Sequence, residues 1–354
     1  MKSSSINALV MEKGGELFTA GTRFLTQKKW LRSPTFPAEP ILGQGDLRFR
    51  FDPEWSKADR DTFPVNNCHE MAIDQADNLY LLTDHPRNNI IVYDLEGRIT
   101  NSWTLNSTAA HGLTISQHGG VETLLISDSY NGRVVNTSFS GTVLRELPKP
   151  HALGLYSASM PYMPTQTAVA PNGDIYIADG YGSQCIIQLD AQGHYIRHFG
   201  GKGSGVQHLD YAHGITVDDR KGPGHELLLV TSRRSCCIKK FSLDGSYLGH
   251  IPLPKGYPCR PVIYGDHLLV SLCWSGAHLR PNSGFVAFLN ADNQVVSTLG
   301  GVAKRNSQGE VTELVSDYSH FYHVHDVCPD RDGNVYVCQW NAGKTYPLKL
   351  ERIR

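Results

Sequence analysis

Four histidines each begin a similar stretch of the chain: HEMAI at His69, HGLTI at His111, HGITV at His213 and HDVCP at His325. Neutral imidazole is the commonest metal ligand among side chains. For an all-histidine site zinc is the first choice, with manganese and iron as alternatives. A single histidine in such a stretch is more often a hydrogen-bonded packing residue. Several at one register favour a metal site, because a dry cluster of imidazoles is costly to bury without a partner.

The elements that position these histidines recur along the chain. Apolar and polar residues alternate in LYLL, IYIA, LLLV and VYVC, which predicts half-buried strands rather than helices. Turns such as LEGR, PNGD, LDGS and RDGN supply residues that tolerate positive φ. The spacing of the copies is typical of propeller blades. The copies start at His69, His111, Thr165, His213, Pro261 and His325.

The repeat predicts an all-β, six-bladed β-propeller. The sixth copy supplies only three strands before the chain ends at Arg354. A strand within ILGQGDLRFRF (41–51) is therefore expected to complete that blade and remove the open sheet edges. We interpret residues 1–64 as an N-terminal segment that includes the closing strand, and residues 65–354 as the propeller.

The first strand of each propeller blade lines the central channel. His111, His213 and His325 belong to alternate blades, so their imidazoles are expected to converge on the axis. Three converging imidazoles leave a fourth coordination position open, as in catalytic rather than structural zinc sites. His69 breaks this threefold pattern. We interpret it as a substrate contact or a structural histidine, with a fourth metal ligand as the alternative.

A second layer of candidates follows the second strand of each blade, in loops such as DSYNGR, DGYGSQ and SRRSCC. These loops are expected at one mouth of the channel, where their side chains can reach a bound ligand. A tyrosine near a divalent cation loses its proton more easily and can act as a base. Any one of these residues can instead hold a turn at the rim. The candidates are Tyr181, Arg233, Tyr130, His85 and Trp340.

Composition narrows the function classes. The 354 residues carry a net charge of −1 and show no basic stripe, which argues against nucleic acid as a partner. No apolar run is long enough for a secretory signal or a membrane helix. The eight cysteines are scattered without a CxxC pair, so a reducing cytoplasm is expected. A small molecule or a short peptide is the expected partner, and the oligomeric state is left open.

Residues 65–350 resemble the NHL-repeat propellers, and among them the peptidyl-α-hydroxyglycine α-amidating lyases. The similarity is strongest in MPTQTAVAPNGDIYIADGYGSQCIIQLDAQGHYIRHFG, YAHGITV and HVHDV. These lyases cleave a carbinolamide to an amide and an aldehyde, using zinc held by three propeller histidines. The resemblance implies zinc on His111, His213 and His325, with Tyr181 as the base. It also aligns Arg233 with an arginine of the lyases' ADR motif.

The resemblance further implies a structural calcium, held by Asp326 and the backbone carbonyls of Leu113 and Met71. In other places the chain departs from the lyase pattern. The arginine that the lyases use in the first blade to activate or bind substrate aligns with His85, with Arg87 close by, so the resemblance makes His85 a candidate catalytic residue. His323 replaces a methionine that precedes the third histidine, and His69 has no counterpart. These departures predict an altered substrate pocket that includes His69, Arg87, Tyr130, His323 and Trp340.

Three functions follow from these patterns. The first is a metal-dependent lyase that cleaves a C–N or C–O bond of a hydroxylated small substrate. The second is a metal-dependent lyase or hydrolase of sugar acids or lactones, whose pocket is reshaped by His69, His85 and His323. The third is a non-catalytic NHL propeller that binds protein or RNA. The neutral charge and the histidine triad weigh against the third.

Overall fold

The structure is a computed structural model that describes residues 40–118, 120–276 and 280–354. These residues belong to one of the chain's two compact units, residues 36–354. Residues 1–39, which make up most of the predicted N-terminal segment, lie outside the described residues. Within the described residues no helix has the length and apolar character needed to cross a bilayer.

Strands account for nearly all regular structure, and five blades are four-stranded antiparallel sheets in chain order. Blade 1 contains β3 (Cys68–Ile73), β4 (Leu79–Thr83), β5 (Ile90–Tyr93) and β6 (Ile99–Trp103). Blade 2 contains β7 (Ala110–His118), β8 (Val121–Asp128), β9 (Arg133–Thr137) and β10 (Val143–Glu146). Blade 3 contains β11 (Gln166–Val169), β12 (Ile175–Ala178), β13 (Cys185–Leu189) and β14 (Tyr195–Gly200). Blade 4 contains β15 (Ala212–Asp218), β16 (Leu227–Ser232), a 3-10 turn (Arg233–Ser235), β17 (Cys237–Ser242) and β18 (Tyr247–Pro252). Blade 5 contains β19 (Gly256–Tyr264), β20 (His267–Ser275), β21 (Phe285–Leu289) and β22 (Val295–Leu299).

The sixth blade joins the two ends of the described chain. Its strands β25 (Val324–Pro329), β26 (Val335–Gln339) and β27 (Leu348–Arg352) are followed in the sheet by β2 (Leu47–Asp52) and β1 (Ile41–Gln44). Strand β2 pairs with β27 in antiparallel register, from Phe49 opposite Arg352 to Asp52 opposite Lys349. The predicted six-bladed propeller and its closure by an N-terminal strand are both confirmed.

The longest interval between predicted repeat starts, from Pro261 to His325, contains an insertion. Strands β23 (Gly301–Arg305) and β24 (Val311–Ser316) form a separate two-stranded hairpin between blades 5 and 6. The hairpin therefore lengthens the interval without adding a blade.

The innermost strands form the wall of the channel. Strands β3, β7, β11, β15, β19 and β25 contact one another in that order, and β25 contacts β3 to complete the ring. Tight turns keep the blades compact. For example, Asp94 accepts the backbone N–H groups of Glu96 and Arg98, and Gly97 adopts a φ of 82° between them. Such Asx turns are a reason for Asp and Gly in these loops.

The closing strand is bound through its side chains as well as its backbone. In β2 buried and exposed residues alternate, so that Phe49 faces the core and Arg50 faces solvent. The ring of Phe49 is fully buried and stacks on Phe288 of blade 5 with centroids 5.6 Å apart. The packing of a buried aromatic side chain thus holds the closing strand against a neighbouring blade.

We expect Phe49→Ala to lower the free energy of unfolding by about 3–5 kcal/mol, the usual cost of truncating a buried phenylalanine. Arg50→Ala is the matched control, because Arg50 is exposed and its ion pair in the described part of the chain is with the exposed Glu351. Its effect should stay within about 0.5 kcal/mol. Urea titration of both variants measures the difference, and equal midpoints would contradict the role given to this strand.

Candidate metal centre

Each of the four motif histidines lies at an irregularity in its strand. In each blade the innermost strand pairs with the next strand, and the register of this pairing shifts between the residues that flank the histidine. This holds for His69, His111, His213 and His325. A β-bulge of this kind leaves a residue outside the ladder and re-aims its side chain, and bulges are frequent next to active sites. The repeated bulge explains how four strands direct an imidazole to the same place.

The three predicted metal ligands lie together. The ring centroids of His111 and His213 are 4.7 Å apart, those of His111 and His325 are 4.8 Å apart, and those of His213 and His325 are 4.7 Å apart. All three side chains are buried. The convergence expected for alternate blades of a closed ring is present in the structure.

Backbone carbonyls fix the orientation of these rings. The Nδ1 atom of His111 lies 2.9 Å from the carbonyl oxygen of Thr165. The Nδ1 atom of His213 lies 3.3 Å from the carbonyl of Cys259, and that of His325 lies 2.8 Å from the carbonyl of His69. A carbonyl only accepts, so each Nδ1 carries the proton and each Nε2 keeps its lone pair. This is how metal-ligating histidines are commonly held.

The three imidazoles are in the neutral form. Burial holds the pKa of His111, His213 and His325 well below the ordinary value, and the nearby Arg233 charge lowers all three further. The rings are therefore neutral, the form that binds a metal. The buried Nε2 atom of His213 has no hydrogen-bond partner among the residues that the structure describes. An unpaired buried acceptor in a cluster of neutral imidazoles fits a divalent metal.

The donor atoms fall into two overlapping sets. His69, His111 and His325 form one set, and His213, Cys259 and His325 form the other, with the donor atoms of each set within 4.8 Å of one another. His325 is common to both, whereas His111 and His213 belong to different sets. The centre thus offers more donors than the three predicted histidines.

The neutral imidazoles predict a pH dependence of stability in the metal-free protein. Because the pKa of His213 is lower in the folded chain than its ordinary value of 6.5, the unfolded chain binds more protons as pH falls below about 6.5. Stability is therefore lost on acidification. Replacing His213 with glutamine should flatten this slope by up to about 1.4 kcal/mol per pH unit.

Urea titrations between about pH 7.5 and pH 5.5 measure the two slopes. Burial raises the pKa of Asp179 to about 6, so the contribution of Asp179 to stability grows on acidification. Asp179 is present in both proteins. The difference between wild type and variant therefore isolates His213. Identical slopes would contradict a neutral His213 in the folded state.

His69 joins the cluster as a neighbour of two triad members. Its ring centroid lies 5.0 Å from that of His111 and 4.8 Å from that of His325. Its Nε2 atom lies 3.5 Å from a carboxylate oxygen of Asp84. Although burial opposes it, the hydrogen bonds with His69 and Asn67 lower the pKa of Asp84. His69 and Asp84 therefore form a dyad beside the triad.

Tyr181 reaches the centre from the loop after β12. Its hydroxyl lies 3.0 Å from Nε2 of His111 and, given the His111 tautomer, donates to that lone pair. Its ring also contacts that of His213, with centroids 5.6 Å apart. Burial raises the pKa of Tyr181, and the positive charge of Arg233 opposes that rise. A second cation would move the pKa in the same direction as Arg233.

Arg233, in the turn after β16, is a buried cation at the same centre and is only 6% exposed. Its Nε donates to the carbonyl of Pro258 at 3.3 Å, and its Nη2 lies 2.8 Å from Sγ of Cys259. The guanidinium also lies 5.4 Å from the ring centroid of Trp274. Two of its three nitrogens are thus held, which positions the planar group beside the histidines.

Three other predicted residues lie apart from the centre. His85 is half-buried and its Nδ1 accepts the backbone N–H of Arg87 at 3.2 Å. Arg87 is exposed, and Tyr130 is 51% exposed. In the described part of the chain none of the three makes a hydrogen bond or ring contact with the four histidines. Tyr130 does lie close enough to Tyr181 to raise its pKa.

His323 and Trp340 belong to an aromatic group that includes Trp274. The His323 ring lies 6.0 Å from that of Trp274 and 5.9 Å from that of Trp340. Both nitrogens of His323 are engaged, since Nδ1 donates to the Trp340 carbonyl and Nε2 accepts the Asn282 N–H. Burial lowers the pKa of His323 to about 4. Through Trp274 this group touches Arg233.

The predicted calcium donors face an arginine. Arg260 contacts Oδ2 of Asp326 at 2.9 Å and the Met71 carbonyl at 3.4 Å. The Leu113 carbonyl accepts a hydrogen bond from Gln166 at 3.4 Å. The calcium site stays a prediction. In the structure the guanidinium of Arg260 contacts two of the three expected donors, the Asp326 carboxylate and the Met71 carbonyl.

The same arginine also lines a cleft. The cleft has a volume of about 390 Å³ and lies against Thr114, Thr167 and Thr216 of the inner strands, and Arg260 forms part of its wall. The four histidines do not line it. Arg260 also pairs with Asp326 and Glu70.

The structure adds site residues that the sequence analysis did not identify. They are Asp84, Cys259, Arg260 and Trp274. Pro261 was predicted to take the place of the histidines in blade 5, and this prediction is wrong. The bulge of β19 lies between Pro258 and Pro261, so the residues released from the ladder are Cys259 and Arg260. Only the position relative to the next strand reveals this two-residue shift.

No protein-family model matches the chain, and no curated protein is significantly similar to it in sequence. Solved structures with the same fold do match. A gluconolactonase from Xanthomonas campestris has a TM-score of 0.60 at 13% identity, covering 90% of this chain and 96% of that chain. A streptogramin B lyase has a TM-score of 0.56 at 15% identity, covering 82% and 95%. Virginiamycin B lyase from Staphylococcus aureus, as a catalytically inactive histidine-to-alanine variant with quinupristin, has a TM-score of 0.51 at 13% identity, covering 80% and 84%. At these identities the comparisons establish the propeller fold that the chain shares with lyases and a lactonase.

Proposed function

We propose that the protein is a metal-dependent lyase that cleaves a C–N or C–O bond of a hydroxylated small substrate. The observation that carries the proposal is the orientation of His111, His213 and His325. Each ring gives its Nδ1 proton to a backbone carbonyl, which leaves Nε2 as the acceptor, and the three ring centroids lie 4.7–4.8 Å apart. Structural packing alone does not require three such rings to cluster.

His111, His213 and His325 would hold the ion, with zinc as the first choice and manganese or iron as alternatives. A divalent metal supplies Lewis-acid stabilisation of the negative charge that develops on a substrate oxygen. At His111 the lone pair already accepts a hydrogen bond from Tyr181. Use of His111 as a ligand therefore frees the tyrosine hydroxyl to turn toward substrate.

Tyr181 would act as the base. Its phenolate oxygen takes the proton of the substrate hydroxyl, the oxygen forms a carbonyl bond to carbon, and the C–N bond breaks. The electron pair of that bond goes to nitrogen, which takes the proton back from Tyr181. The positive charge of Arg233 favours the phenolate needed at the start.

Arg233 would bind an anionic group of the substrate. Its planar guanidinium suits a carboxylate, which it can contact through two parallel hydrogen bonds. Burial excludes competing water, and the contacts with Pro258 and Trp274 keep the group from rotating. The loop residues His85, Arg87, Tyr130, His323 and Trp340 are proposed as substrate contacts farther out.

The substrate class follows from the resemblance to the amidating lyases and is tested directly. Zinc-loaded protein is incubated with acyl-α-hydroxyglycines and, in parallel, with sugar lactones. We expect an amide and a carbonyl product from the first set, and a reaction about 10²–10⁴-fold slower in Tyr181→Phe protein. Turnover of lactones alone would overturn the lyase assignment.

One observation favours hydrolysis as a second candidate. His69 and Asp84 form a histidine–carboxylate dyad next to the triad, and such a dyad can activate water as a general base. A lactone or sugar-acid hydrolase would use this dyad. In that case Asp84→Asn should suppress turnover of lactones while leaving metal content unchanged, whereas a lyase that uses Tyr181 should lose little activity.

A further inference from the structure

We propose that Cys259 supplies a thiolate sulfur to the same metal as His213 and His325, and occupies the fourth coordination position in the resting protein. The inference rests on the proposed metal centre and deepens it. It names a donor of a different chemical kind from the imidazoles, and that donor determines which metals the site prefers.

The strand register gives Cys259 the place of a histidine. In blade 4 the bulge of β15 releases His213 and Gly214, between the pairs Ala212–Ser232 and Ile215–Val230. In blade 5 the bulge of β19 releases Cys259 and Arg260, between the pairs Pro258–Leu272 and Pro261–Val270. Cys259 is therefore the blade 5 counterpart of His213.

The distances place the sulfur among the donors. The donor atoms of His213, Cys259 and His325 lie within 4.8 Å of one another, and all three residues are buried. Tetrahedral ligands of zinc lie about 3.5 Å apart, so closing this set on an ion requires movements of about 1 Å. The unpartnered Nε2 of His213 is part of the same set.

The charges favour a thiolate at this position. Arg233 is buried, and no carboxylate among the described residues forms an ion pair with it. Its Nη2 atom lies 2.8 Å from Sγ of Cys259. A thiolate balances the guanidinium charge, which would otherwise repel a divalent cation.

Sulfur changes the chemistry of the site in two ways. Thiolate ligands favour zinc and other thiophilic ions over magnesium and manganese. With His111 as a third imidazole beside His213 and His325, the sulfur would complete four-coordination. A substrate oxygen would then have to enter as a fifth ligand or displace the sulfur. Arg233, already hydrogen-bonded to the sulfur, would hold the thiolate in either state.

Cobalt(II) tests the proposal, because it substitutes for zinc and reports a sulfur ligand through a thiolate-to-metal charge-transfer band in the near ultraviolet. Metal-free protein is titrated with cobalt(II) and its absorption is recorded. We expect one bound cobalt per chain with the band in the wild type. The band should vanish in Cys259→Ser. Cobalt affinity should fall by at least the roughly 10–100-fold that accompanies loss of an outer-shell partner.

Cys273→Ser is the matched control, because Cys273 is a buried thiol beside Cys259 that belongs to neither donor set. It should keep the band. One bound cobalt without the band in wild-type protein would overturn the role of Cys259 and leave the imidazole centre standing. Failure of the wild type to bind cobalt would overturn the metal centre itself. The wild-type spectrum decides even if Cys259→Ser does not fold.

Discussion

His213→Ala is expected to remove metal binding and turnover together. His213 donates Nδ1–H to a backbone carbonyl, and its Nε2 atom is buried without a partner, so its lone pair is available to an ion. Loss of a direct ligand should weaken metal binding by more than about 100-fold, the upper effect of losing an outer-shell partner. Equilibrium dialysis with zinc and assays of turnover measure the two losses on the same protein.

His320→Gln controls for the removal of a buried imidazole. His320 is buried, pairs with Asp317 and belongs to neither donor set. It should bind zinc with the affinity of the wild type. A His213→Ala protein with full activity would contradict the proposed function, and a His320→Gln protein that loses zinc would show that dialysis reports general destabilisation.

Tyr181→Phe is expected to lose about 10²–10⁴-fold in turnover, the usual contribution of a positioned general base, while keeping its metal. The ring contacts with His111 and His213 do not involve the hydroxyl, so the fold of the site should survive. Metal affinity should equal or exceed that of the wild type. The reason is that the hydroxyl competes with an ion for the Nε2 lone pair of His111.

The pH profile separates a base from a structural tyrosine. A base acts when deprotonated, so wild-type kcat/KM should rise with pH until the Tyr181 phenolate is formed. Burial raises the pKa of Tyr181, which puts this rise at alkaline pH unless Arg233 and the metal offset it. The rise should be absent in Tyr181→Phe. An unchanged profile with reduced kcat would contradict the role of base.

Much of the fold follows from local patterns. Period-two alternation and Asp–Gly turns specify antiparallel blades, and the three-stranded last repeat requires a strand from elsewhere, found in β2. The hairpin β23–β24 was not foreseen, because an inserted hairpin uses the same alternation and turn signals as a blade. Its separation from the ring depends on packing that no local pattern encodes.

The site was predictable where one residue type recurs at one register. This holds for the histidines at 111, 213 and 325. Tyr181 and Arg233 could be placed because each lies in the loop that follows the second strand of its blade. Cys259 and Arg260 were missed because the Pro258–Pro261 bulge shifts the register of β19 by two residues. Asp84 was missed although it directly follows β4, the partner of β3, because the register that brings it beside His69 is visible only in the structure.

Metal content is the most direct test of the central claim. Protein purified without a metal-binding tag is dialysed, loaded with zinc, freed of excess and analysed for elements. The convergence of three neutral imidazoles at centroid separations of 4.7–4.8 Å predicts one zinc per chain. Wild-type protein that retains no metal at all would contradict the account and favour a propeller that serves as a binding module.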